Sequence, residues 1–143
     1  MTEVVRTTIV PATADAVWIL LSDFGGVFKW AANVDHSCLM SGKTEGPGTV
    51  RRAQTGRTTI VERVQVWEPP SRLSYSLEGL PAVIKSAVNT WSLEPDGTST
   101  RVSLTSGVDC GPLPHQKLIA WVVGRRMVQA SQILLAGLKA RLS

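Results

Sequence analysis

At 143 residues the chain is the length of one domain, residues 1–143, and is long enough to bury about 70% of its unfolded surface without disulfide or metal staples. A hydrophobic share of 43% holds no uncharged run near the roughly 20 residues of a membrane span. The opening MTEVVRTTIV carries charges where a signal peptide needs an apolar stretch, so a soluble, cytoplasmic protein is expected. The 15 Lys and Arg against 11 Asp and Glu leave a net charge of +4, but they are scattered, and the pairs Arg51-Arg52 and Arg125-Arg126 are too short to track phosphates. Nucleic acid is not an expected partner.

Residues 3–10, EVVRTTIV, are rich in β-branched side chains and predict a first strand, ended by Pro11. Thr13 then caps a helix running through Ala16, Val17, Trp18, Leu20 and Leu21. Ser22-Asp23 and Gly25-Gly26 break it, and Val27 to Ala32 predict a second short helix. From Asn33 to Asp109 short β-rich runs are separated by turn signals at hairpin spacing, with no room for helical crossovers. Strands are predicted near 34–40, 48–54, 58–67, 72–78, 86–94 and 100–109, joined as an antiparallel meander.

Between His115 and Leu142 there is no proline and no turn cluster, about 28 residues or roughly 42 Å of helix at 1.5 Å per residue, which predicts one helix over about 113–142. Val123, Met127, Val128, Leu134, Leu135, Leu138 and Leu142 share its apolar face. Gly124 and Ser131, two small residues on that face, are expected to leave space beneath it. A seven-stranded antiparallel sheet with two short helices and one long one is an α+β arrangement in which the sheet must curl around the long helix. Such a grip tends to enclose a pocket for a hydrophobic small molecule.

The order of elements, together with PATADAVWILLSDF, KWAANV, GPGTVRR, IVERVQVWEPPSRLSYSLEGLP and GTSTRVSLTS, resembles the START-like superfamily, also labelled SRPBCC or polyketide cyclase/dehydrase and lipid transport. The resemblance covers nearly the whole chain and implies the helix-grip fold of pollen allergens. Its activities are many: aromatic-ring cyclases, lipid-transfer proteins and hormone receptors share it. In the receptors the glutamate of the "ER" pair faces the cavity, which implies that place for Glu62. Gly79-Leu80-Pro81 is similar to their gate loop and implies that 79–82 lies near the pocket mouth, where Trp30 is also expected.

Strand parity sets the candidate lining. Ile60, Glu62, Val64 and Val66 share one face of the fourth strand, so Glu62 points inward among apolar neighbours, unless the strand is offset and it faces water. Arg51 on the adjacent strand is its natural counter-ion; of Arg51 and Arg52 one must point out, and parity alone leaves open which. Tyr75, Asn89, Trp91 and Ser106 fall on the faces that also carry Leu73, Leu77, Leu93 and Leu104, although Trp91 also suits a plain core position. From the last helix Met127, Val128, Ser131 and Leu135 are expected to close the pocket.

Glu62 and His36 are the two groups that chemistry would use, the imidazole of His36 being the readiest to exchange protons near neutrality. Neither stands beside a recognisable nucleophile. Cys38 and Cys110 lie far apart with only His36 near either, which argues against a disulfide or a metal site, and Gly42-Lys43-Thr44 lacks the glycine that would make it a phosphate loop. No cofactor is expected. Three functions remain: binding or carriage of a lipid- or polyketide-like molecule, which a pocket with few ionisable groups favours; a cyclase or dehydratase working in the same cavity; and a protein-interaction module, signalled by a large exposed apolar patch. The protein is expected to be a monomer or a homodimer.

Overall fold

In the computed structural model, described over residues 2–143, the chain runs β1 (Thr2–Val10), α1 (Ala14–Ser22), a 3₁₀ helix (Phe24–Lys29), β2 (His36–Leu39), β3 (Val50–Thr55), β4 (Thr58–Glu68), β5 (Arg72–Glu78), β6 (Ser86–Asp96), β7 (Ser99–Asp109) and α2 (Pro114–Leu142). All seven strands pair antiparallel in the order β1-β7-β6-β5-β4-β3-β2. The segment after β1 therefore carries the chain from one edge of the sheet to the other, and the meander returns strand by strand until β7 meets β1. The long helix α2 lies against β1 and β7 and spans the inner face.

Local chemistry sets the boundaries. Thr13 Oγ1 accepts a hydrogen bond from the Ala16 amide at 3.2 Å and starts α1, whose Val17, Trp18 and Leu21 are buried. At the head of α2, Pro114 takes the first helical position and Gln116 Oε1 accepts from the Leu113 amide at 3.0 Å. Gly79, at φ +90°, ends β5 so close to Thr59 that an added Cβ would stand 2.9 Å from its carbonyl oxygen, a place only glycine fills.

Three expectations need correction. The second helix covers Phe24–Lys29 rather than 27–32, because the chain turns at once after Asp23 to bury Phe24 edge-on against Tyr75, with ring centroids 5.4 Å apart. In β4 the pairing slips between Val64 and Val66, so the alternation breaks. Val66 now sits opposite Ser74, away from the inner face, and Trp67 takes its place opposite Leu73, meeting Trp18 edge-on at 5.4 Å. Gly124 does not open space below α2: an added Cβ would lie 3.4 Å from Thr2 Cγ2 and 3.6 Å from Val4 Cγ1, so the missing side chain lets the helix settle on β1.

The buried side chains form two groups. One, around Val17, Phe24, Leu73, Tyr75, Trp91, Leu104 and Leu138, joins α1, the sheet and the end of α2. The smaller, Ala87, Val108, Cys110 and Ala120, sits under the start of α2 with Leu80, Ile84, Val123 and Met127 packed around it. At the far end α2 presses on the chain after the 3₁₀ helix, where a side chain at Gly137 would collide with the Trp30 carbonyl. The helix is thus held at both ends and spans a gap between.

Candidate ligand-binding cavity

That gap is a cavity of about 280 Å³ between the sheet and α2. Its polar wall begins at the β3–β4 hairpin, whose register puts Arg51 directly opposite Glu62. Arg51 points inward and is 5% exposed, whereas Arg52 faces solvent. Arg51 Nε donates to Glu62 Oε1 at 2.7 Å and Nη1 to the Phe24 carbonyl at 2.9 Å, and its guanidinium carbon lies 3.8 Å from the Phe24 ring centroid and 4.8 Å from that of Tyr75. Both charges are thus desolvated together: Glu62 is satisfied by Arg51, and Arg51 by Glu62, the Phe24 carbonyl and two aromatic faces.

From this pair a polar track crosses the sheet. Tyr75 on β5 pairs with Asn89 on β6, and Asn89 with Ser106 on β7. Ser106 Oγ donates to Asn89 Oδ1 at 2.7 Å and lies 3.4 Å from Ser131 Oγ on α2. Tyr75 Oη accepts from Trp91 Nε1 at 3.2 Å, and burial, reinforced by the negative charge of Glu62, pushes its phenol above the ordinary value of 10.0. The remaining wall is apolar, with Val27, Leu77, Leu80, Ile84, Met127 and Leu134 prominent.

Of the expected lining, Arg51, Glu62, Tyr75, Asn89, Ser106, Met127 and Ser131 stand in the cavity wall, and the 79–82 segment contributes Leu80. Five candidates lie elsewhere. Trp30 is buried in the main core, its ring edge-on to Trp91 at 6.0 Å, and both tryptophans are packing residues. Leu135 points into the same core one helical turn beyond Ser131. Val128 falls on the opposite flank of the buried face and turns toward Arg6 on β1. His36 is exposed on the edge strand β2, opposite Gln54, and offers the cavity no base.

Two lining residues carry no periodic signal that would mark them in the sequence. Asn33, in the loop before β2, has a buried Oδ1 without a hydrogen-bond partner. Arg126 lies outside the apolar stripe of α2, yet its long side chain reaches the cavity rim.

A curled antiparallel sheet closed by a C-terminal helix over an apolar cavity with one polar wall defines a helix-grip domain. The chain belongs to the polyketide cyclase / dehydrase and lipid transport family, whose profile matches residues 1–143. Among solved structures it is similar to the aromatase/cyclase Zhui from a Streptomyces species (18% identity over 99% of this chain and 93% of that one, TM-score 0.80). It is also similar to a START superfamily protein from Mycobacterium smegmatis (17%, 98% and 96%, TM-score 0.79). A third likeness is to a Thermus thermophilus protein (24%, 99% and 97%, TM-score 0.76). At these identities the likeness concerns the fold. No curated protein matches the sequence.

Proposed function

We propose that this protein binds and carries a small, mostly apolar molecule with one uncharged hydrogen-bonding end, in the cytoplasm. The observation that carries the reading is the cavity's polar wall, whose groups already have partners: Arg51 and Glu62 each other, Asn89 and Ser106 each other, and Tyr75 the indole of Trp91 in the core behind it. A charged ligand end beside the Arg51–Glu62 pair, whose charges already cancel, would find no free counter-charge in that buried part of the wall. A hydroxyl or carbonyl would be welcomed, and a donor would satisfy Asn33 Oδ1. At about 280 Å³ the space falls just below the roughly 300–1,000 Å³ of small-molecule sites, which suits a compact ring system better than a long acyl chain. Proton-transfer catalysis would need converging groups free to exchange protons, and the one histidine considered for it is on the outside.

The test is to recover the protein from its host, identify co-purified small molecules by mass spectrometry, and titrate wild type and Glu62→Gln with them. A carrier returns the molecule unaltered after long incubation and loses about tenfold in affinity with Glu62→Gln, the worth of one charge-assisted hydrogen bond. A converted product whose formation falls by roughly a hundredfold or more in Glu62→Gln, with binding retained, would make it an enzyme instead.

A further inference from the structure

We propose that the outward face of α2 docks on an anionic lipid bilayer and brings the cavity rim to the membrane surface. The first ground is charge. The 29 residues of α2 contain Lys117, Arg125, Arg126, Lys139 and Arg141 and not one Asp or Glu, while in the rest of the chain 11 acidic residues outnumber 10 basic ones. The whole positive excess of the molecule therefore resides on the helix that covers the cavity. Among the described residues Arg6, Arg125 and Arg126 make no ion pair, and they converge on one outer groove beside Trp121. The acidic groups nearest in the fold stand aside: Glu3 alternates with the residues of β1 that meet α2 and so faces away from it, and Asp109 lies by Lys117 in a separate recess.

The second ground is apolar exposure on the same face. Leu118, Trp121 and Val122 are 61%, 54% and 47% exposed, and with Arg125 they occupy positions i, i+3, i+4 and i+7, one line along the helix. The Arg125 guanidinium lies 5.1 Å from the Trp121 ring centroid. Large side chains standing out from a convex helix, with arginines beside them, fit a planar interface in which the indole sits among head groups and the cations reach phosphate. A protein partner would have to supply a groove matching this ridge; a bilayer needs no matching shape. Arg126 lines both the outer groove and the ligand cavity, so a docked α2 sets the cavity rim against the lipid.

Docking is read without any ligand, so its failure and that of the carrier reading are separate. The full chain is floated with vesicles of phosphatidylcholine alone and of phosphatidylcholine with phosphatidylglycerol. Recovery with the anionic vesicles only is expected, weakening as salt shortens the screening length. Arg125→Gln should reduce vesicle affinity about fivefold and Trp121→Ala about tenfold, with co-purified small molecule unchanged in both. No flotation with anionic vesicles, equal flotation with neutral ones, or unchanged binding by Trp121→Ala overturns the proposal. So does a dimer that Trp121→Ala dissociates, since the face would then be covered by a second copy.

Discussion

Tyr75 is the only tyrosine in the chain, so its ionisation can be followed alone by phenolate absorbance. Burial is the largest cause that raises its pKa, followed by Glu62, with Arg51 acting in the opposite sense. The unfolded chain therefore releases the phenolic proton at lower pH than the folded one. The stability associated with the neutral, buried phenol is fully present below pH about 10 and is lost as pH rises from there through the folded pKa. Folded protein should show a single phenolate transition displaced above that of urea-unfolded protein. Tyr75→Phe should remove this part of the alkaline loss, and a transition at the unfolded value would show that the phenol is not buried as described. The inward turn of Glu62 was readable from parity at this same scale, because the hairpin before it is tight and the strand is regular as far as Val64. The choice between Arg51 and Arg52 was not, since alternation says only that they point apart. What decides it is tertiary: the Phe24 carbonyl and ring, brought in from the turn after α1, supply the partner and the aromatic face that a buried guanidinium needs.

At the scale of elements, hairpin spacing made all seven strands and the long helix legible, since turn residues mark strand ends and an unbroken 29-residue stretch has no other use. Side-chain direction was less so. One inserted residue in β4 exchanged Val66 for Trp67 on the inner face, and nothing in the local alternation announces a bulge. On α2 the apolar stripe is wider than the cavity: Val128 and Leu135 belong to it but spend their area on β1 and on the core, and only the flank bearing Val123, Met127 and Leu134 meets the open space. Small residues were ambiguous for a related reason, because a missing side chain serves either close packing or a void. Gly124 does the first; Ser131, 2% exposed and at the polar wall, does the second. Ser131→Trp should therefore fill the cavity and abolish binding of a fluorescent apolar probe. Circular dichroism should remain native at a cost of about 1–3 kcal/mol in urea unfolding, the usual penalty of overpacking. Unchanged probe binding would place the apolar site elsewhere.

For the molecule as a whole, a cavity between two core clusters is stability forgone, because its lining lacks partner atoms. Such a gap persists either as a packing fault or as a site, and the two respond differently to filling. Ala130, partly buried on α2, lines the cavity next to the polar wall and can accept a larger apolar side chain from the helix. Ala130→Leu should raise the unfolding free energy of the ligand-free protein by about 1 kcal/mol, less than half of the roughly 2.4 kcal/mol that three added carbons at about 0.8 kcal/mol each would contribute if fully enclosed. Wild type saturated with an apolar probe at a hundred times its Kd should gain about 2.7 kcal/mol by mass action. In Ala130→Leu that gain should vanish while basal stability is higher. Thermal unfolding of both proteins with and without probe measures the two effects together. A variant that is stabilised and still gains fully from the probe would mean that the cavity is a packing fault and that the ligand binds outside it.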